Sequence, residues 1–370
     1  QQHSLRLIVY VNIGYGMMAG PQNTNVYESI LDWSLVAPEG KPPKDPEYPF
    51  ECINNPYYKR VILFMVSEII ENYAPDALYF DGPRYFSICK CEHCLQKFRE
   101  RYGSELPGHW PPTEADYDDP YWHEVMQFRF DSVGEFLKDL MAHCRANTDV
   151  PIYVNYNVPE VDYWGRWSTA TYQFVKWYKA DGTLVENELL PDGVPTVHSG
   201  MRIKIARAQG VVPLVYLEPV TWGYPSPSTA GAEQKVLAAE IIAHGGSPRY
   251  DFSHGLYYDT TAFDALRDLM AWRSENEDLF DEIKPINPIL LPYSTPTADF
   301  YGRTWATLPE RYNRSHFGLY RALVEAHLPV DCAYEDDITE TGLMKYDWLI
   351  LSNLACLSDA QVEAIGTIVQ

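Results

Sequence analysis

The chain has 370 residues, 46% of them hydrophobic, enough for a large α/β domain and a second, smaller unit. A formal net charge of −22 repels polyanions, so nucleic acid and anionic membrane are excluded as partners and a neutral or cationic substrate is favoured. No apolar run reaches the roughly 18 residues of a membrane-spanning helix.

Six strand-like apolar runs alternate with helical ones along the chain. The strands are Leu5–Ile13, Asp76–Asp81, Pro151–Asn157, Thr183–Glu188, Val211–Glu218 and about Gly246–Phe252. Helices are predicted over Pro56–Tyr73, Leu95–Arg101, Tyr121–Ala146, Ser168–Lys179, Gly200–Gln209 and Ala230–His244. In the first helix the apolar spacing of Val61, Phe64, Met65 and Ile69 marks the expected buried stripe. Strict β/α alternation implies parallel strands with right-handed crossovers. An open doubly wound sheet would satisfy it too, but no Gly-x-Gly-x-x-Gly turn follows any strand. Polar residues instead stand at many strand ends, as in a (β/α)8 TIM barrel, whose strand C-termini share one mouth. Eight strands are needed, so the first two are expected to lie upstream of Gln1. That gives a barrel over residues 1–284. After Pro285–Pro288 come a strand at Ile289–Leu291, a helix at Ser315–Ala326, strands at Val330–Tyr334 and Trp348–Ser352, and a helix capped near Ser358, the start of a second α/β domain over residues 285–370.

Acidic groups at strand ends carry the chemistry. Ala77–Phe80 reads as a strand buried on both faces, and Asp81 sits at its tip before Gly82–Pro83. Glu186 and Glu188 share one face of their strand, and Glu218 ends another. Carboxylates converging from separate strands equip a glycoside hydrolase, one attacking the anomeric carbon and one protonating the leaving oxygen. Asp81 also suits a plain turn, and either glutamate a salt-bridged supporting role. Trp164, Trp167 and Trp222 lie in loops after strands, suited to sugar-stacking walls or to loop anchoring, with Arg84, Asn157 and His198 as hydroxyl binders.

Cys89, Cys91 and Cys94 follow Asp81 in Cys-x-Cys-x-x-Cys spacing and are expected in the loop before the helix at Leu95. Three thiolates so spaced suit a tetrahedral Zn2+ with Cys52 as the fourth ligand, a closed structural site; unmetallated reduced thiols are the other reading. Either state suits a reducing, cytoplasmic compartment, although a chain starting at Gln1 without Met leaves an upstream leader open. Cys144, Cys332 and Cys356 read as core residues.

Two families resemble these segments. Glu71–Asp76 leading into Tyr79–Gly82 resembles the fourth barrel strand of α-L-fucosidases, which implies the nucleophile role for Asp81. Cys52 followed after 37 residues by Cys89, Cys91 and Cys94 resembles the zinc cluster of family 42 β-galactosidases. The tail Tyr346–Asp359 is similar to the start of their trimerisation domain, a glutamine-amidotransferase-like α/β fold, which implies self-association. As a whole the chain most resembles the hypothetical glycosyl hydrolase 6 group, related to α-L-fucosidases. The β-galactosidases carry Asn-Glu at the end of their fourth strand, where this chain has Phe80–Asp81–Gly82. The expectation is therefore a retaining, α-L-fucosidase-like exo-glycosidase with Asp81 as nucleophile and Glu186, or next Glu188, as acid/base. A β-galactosidase-type enzyme using Glu218 and an inactive carbohydrate-binding or assembly protein are the alternatives.

Overall fold

The computed structural model describes residues 5–13, 36, 51–81, 85, 88–110, 112–155, 184–187, 197–210, 213–217, 230–250, 261–281, 286, 288–304 and 306–369. The chain divides into two compact units, Gln1–Leu184 and Val185–Gln370.

The first unit contains β1 (Ile8–Asn12), α1 (Pro56–Tyr73), β2 (Ala77–Asp81), α2 (Glu92–Tyr102), α3 (Pro120–Asn147) and β3 (Ile152–Asn155). Both strand pairs are parallel, with β2 between β1 and β3. The register sets Tyr10 beside Tyr79 and Asn12 beside Asp81. All five residues of β2 are buried, as its apolar composition on both faces requires.

Helix α1 starts where sequence logic places it. The Asn55 side chain accepts the Tyr57 N–H at 2.9 Å, and Pro56 fills the first position, where no N–H is needed. It buries Tyr58, Ile62 and Val66, with Tyr58 stacked on Phe136 of α3 at 6.2 Å. The predicted stripe was a different one: Val61 is 40% exposed and Phe64 72%. The middle of this helix is apolar nearly all round, so periodicity alone does not choose the face; packing against α3 does. The helix ends at Ala74, which holds a left-handed φ of 42° immediately before Pro75. A side chain in that conformation is strained. Ala74→Gly should therefore raise stability by about 0.5 kcal/mol, seen as a melting-temperature increase of roughly 1–2 °C; a lower melting temperature would contradict this.

Helix α2 begins three residues earlier than predicted, so Cys94 lies in its first turn and not in the preceding loop. Glu92 near the helix start and Arg99 and Arg101 in the last turn complement the helix dipole, and Gly103 closes it at φ 70°. Helix α3 gains Pro120 at its start, capped by Asp119, whose side chain accepts the Tyr121 N–H at 3.0 Å.

The second unit opens at β4 (Leu184–Asn187), with the division falling at that strand's first residue. It continues through α4 (His198–Ala208), β5 (Pro213–Leu217), α5 (Gly231–Ala243), β6 (Ser247–Tyr250), α6 (Thr261–Glu275) and α7 (Asp278–Asp281). Strands β4, β5 and β6 pair in parallel in chain order, with Glu186 beside Leu214. Their core gathers Ile203, Val215, Leu217, Ala238, Ile241 and Leu266. A separate three-stranded parallel sheet has β7 (Ile289–Tyr293) between β8 (Val330–Tyr334) and β9 (Trp348–Leu349). Helices α8 (Arg314–Glu325), α9 (Glu340–Leu343) and α10 (Asp359–Val369) accompany it. The last strand is shorter than the predicted Trp348–Ser352, and the predicted helix at 168–179 lies outside the described residues. Among the described residues, no helix is long and apolar enough to cross a membrane.

Candidate metal centre and the strand end at Asp81

Cys52, Cys89, Cys91 and Cys94 come together as the spacing predicts. Their four Sγ atoms lie within 4.8 Å of one another, so they could hold a metal ion. Cys52 Sγ stands 3.6 Å from Cys91 Sγ and 3.4 Å from Cys94 Sγ. A disulfide would need about 2.05 Å. Sulfurs at about 2.3 Å around a tetrahedral Zn2+ would be about 3.8 Å apart, close to what is observed. Cys89 accepts the Val36 N–H at 3.2 Å and the Cys91 N–H at 3.5 Å.

The electrostatics point the same way. Bonds from the neighbouring thiols hold Cys91 far below the usual thiol range. Those same sulfurs, with burial, push Cys52 up, and burial pushes Cys94 up. The Cys91 sulfur thus favours the thiolate beside Cys52 and Cys94, which favour the thiol. Four thiolates packed this tightly require a bound cation.

Several residues that the sequence reading passed over support the sulfurs. Tyr85 accepts the Cys89 N–H at 3.2 Å and bonds Cys94 Sγ at 3.2 Å through its hydroxyl. Asn54 donates to Cys94 Sγ at 3.3 Å and to Ser132 Oγ at 3.0 Å. Lys97 Nζ donates to Asn54 Oδ1 at 2.6 Å and pairs with Glu135 at 2.7 Å. Arg129, wholly buried in α3, donates to the Tyr85 carbonyl and stacks over Trp110 at 4.2 Å. These buried and half-buried cations suit a site whose four thiolates outweigh a divalent metal by two charges. Proximity in sequence was the available signal: Asn54 is two residues from Cys52, and Lys97 one helical turn from Cys94. Asn54→Ala should weaken metal affinity by about tenfold, measured by competition with a chromophoric chelator; an unchanged affinity would deny Asn54 that role.

Asp81 is four residues upstream of Tyr85, so the strand end and the sulfur cluster belong to one short segment. It is 7% exposed at the C-terminal tip of β2. Tyr10 Oη donates to Asp81 Oδ2, and the Ile13 N–H donates to the Asp81 carbonyl at 2.7 Å. Tyr10 is 44% exposed and stacks on Tyr79 at 5.3 Å with planes 18° apart. The parallel register puts Tyr10, Asn12, Tyr79 and Asp81 on one face of the sheet. This is a carboxylate positioned by a phenol on a rigid strand.

The other predicted site residues are placed less completely. Glu186 lies on β4 and His198 begins α4, each described by its backbone alone. Glu188, Glu218, Arg84, Asn157, Trp164, Trp167 and Trp222 lie outside the described residues. Cys144 and Cys332 are buried packing residues, with burial pushing Cys144 up to about 12. Cys356 is only half-buried, at odds with a core reading, because it sits in the stretch after β9 and not within an element.

No protein-family model matches the sequence, and no curated protein does. Solved structures do resemble the chain. A β-galactosidase from Bacillus circulans sp. alkalophilus aligns over 93% of this chain and 57% of its own, at TM-score 0.71 and 16% identity. A GH42 β-galactosidase from G. stearothermophilus aligns over 94% and 58%, at TM-score 0.69 and 14% identity. An α-L-fucosidase isoenzyme from Paenibacillus thiaminolyticus aligns over 98% and 50%, at TM-score 0.63 and 16% identity. The chain thus spans between half and three fifths of the length of these structures. It carries a glycoside-hydrolase-like fold.

Proposed function

We propose that the chain is the catalytic part of a retaining exo-glycoside hydrolase built on a (β/α)8 barrel, acting on α-L-fucosides. The observation that carries this is Asp81, a buried carboxylate at the tip of a buried parallel strand, held by Tyr10. It stands in a chain whose fold is similar to that of an α-L-fucosidase and of β-galactosidases. In this reading an Asp81 oxygen attacks the anomeric carbon as the glycosidic bond breaks, forming a glycosyl ester. Glu186, or Glu188 beside it, gives its proton to the leaving oxygen. The same glutamate then takes a proton from water, which displaces Asp81 and restores the sugar's configuration. Such a pair stands about 5–5.5 Å apart. Tyr10 anchors the carboxylate through Oδ2 while the ester forms and breaks.

The metal is Zn2+, bound by four cysteines with no open position. Its part is structural: it ties the segment after β2 to the chain before α1 and supplies no chemistry to the sugar. Residues 1–284 form the barrel domain. Residues 285–370 begin a trimerisation-type α/β domain through which the protein self-associates, a reading supported by the separate sheet β8-β7-β9.

A second reading has its own support. The two β-galactosidases superpose with higher TM-scores than the fucosidase, which favours a β-galactoside substrate and Glu218 as nucleophile. A panel of 4-nitrophenyl glycosides, hydrolysed by the chain and by Asp81→Ala, separates the two. Turnover of α-L-fucoside that vanishes in the variant supports the first reading. Turnover of β-galactoside that survives it transfers the chemistry to Glu218. Silence across the panel overturns both and leaves a carbohydrate-binding or assembly role.

A further inference from the structure

A cavity of about 570 Å3 opens within the second unit, far along the sequence from Asp81 and the cluster of Cys52, Cys89, Cys91 and Cys94. Lys204 and Arg207 line it from α4, His244 from just past α5, and Asp331 from β8. Asp337, Lys345 and Tyr346 line it as well. The chain as a whole has 51 acidic residues against 29 Lys and Arg. This cavity inverts the balance, with Lys204, Arg207 and Lys345 against Asp331 and Asp337. A concentration of cations in so acidic a protein calls for a reason.

The side chains are built in. Asp331 is already engaged at both oxygens, by the Cys332 N–H at 3.0 Å and the Tyr346 hydroxyl at 3.0 Å. Lys204 Nζ donates to the Val330 carbonyl at 2.6 Å and lies 5.5 Å from the Tyr320 ring centre. An ammonium has three donors, and that carbonyl takes one. Burial destabilises the charge on Lys204 and lowers its pKa although Cys332, Asp331 and Glu240 pull the other way. Burial likewise holds His244 down to about 4, helped by Lys204 and Arg207, so it is neutral here. Arg207 Nη1 donates to the His244 carbonyl at 2.8 Å. The guanidinium lies against Gly245, which holds φ +82°, and a Cβ there would sit 2.2 Å from Nη1. Only glycine admits the guanidinium at that place. Lys345 is exposed and makes no hydrogen bond or ion pair with the described residues.

We propose that this cavity binds the phosphate group of a small phosphomonoester, gripped by the Arg207 guanidinium between the Lys204 and Lys345 ammonium groups. A planar guanidinium that gives one bond to the His244 carbonyl among the described residues has further donors for a tetrahedral oxyanion, and the two ammonium groups add point charges beside it. The volume suits a small molecule larger than phosphate alone. The site owes nothing to the glycosidase reading and stands or falls separately.

Isothermal titration of inorganic phosphate into the chain at pH 7.5 and constant ionic strength tests it. One saturable site is expected, with a Kd on the order of 1 mM for so small a probe. Arg207→Gln should weaken it by about tenfold or more, and Lys345→Gln by several-fold. Gly245→Ala should do as Arg207→Gln does, by displacing the guanidinium with no change of charge. Lys345→Gln touches no internal bond, so it keeps the test valid if Arg207→Gln fails to fold. Absence of saturable heat, or phosphate binding equal in wild type and Lys345→Gln, overturns the proposal. So does saturable Ca2+ binding that needs Asp331 and Asp337 in place of phosphate binding.

Discussion

Asp81→Ala should lower kcat on the cleaved 4-nitrophenyl glycoside by on the order of 10^4-fold, the scale seen when a reacting side chain is removed. The loss should fall on kcat more than on KM, because the carboxylate acts mainly as the bond to the anomeric carbon forms. The truncation leaves a small space beside the Tyr10 hydroxyl, which loses its acceptor. An added azide ion fits that space and attacks the same carbon. Activity should therefore return with azide, and the product should be a glycosyl azide of configuration opposite to the substrate. Asp81→Asn keeps the shape and a weaker acceptor for Tyr10, so it should fold as well as wild type yet stay inactive. Hydrolysis by Asp81→Ala at more than a tenth of the wild-type rate would sink the nucleophile assignment.

Cys94→Ser should strip the metal and lower the melting temperature by roughly 10 °C. Cys94 is the ligand with most to lose: it lies in the first turn of α2, and Asn54 and Tyr85 both bond its sulfur. Without it the remaining three sulfurs no longer close a tetrahedron, and α2 is released from the segment around Cys52. Metal analysis of wild type should find about one zinc per chain, and of Cys94→Ser less than about a tenth of that. Native wild type with four freely titrating thiols and no bound metal would refute the site. Because Tyr85 follows Asp81 by four residues, the same variant should also lose some glycosidase activity, though far less than Asp81→Ala.

The parts of the molecule legible in the sequence were those fixed by local chemistry. Ala77–Phe80 is apolar on both faces and stops at Asp81–Gly82–Pro83, as an inner strand does; Pro56 marks the start of a helix. The four cysteines were legible because thiols cluster in short spacings for few reasons. What stayed hidden depended on residues distant in sequence. Tyr10 bonds a carboxylate 71 positions away, and nothing near either residue announces the pair. The buried stripe of α1 was misread because Val61 and Phe64 are as apolar as Ile62 and Val66; only α3, far down the chain, breaks the tie. The start of α2 was placed too late because Cys91–Glu92–His93–Cys94 reads as a metal loop, whereas the cluster uses a helix turn to present its last ligand.

The five buried residues of β2 have a consequence for motion. Parallel partners flank the strand on both sides, so its inner amides exchange with solvent only when the first unit opens as a whole. They should be among the last protons of that unit to be replaced in heavy water. Asp81 is thereby mounted on a slowly exchanging part of the protein.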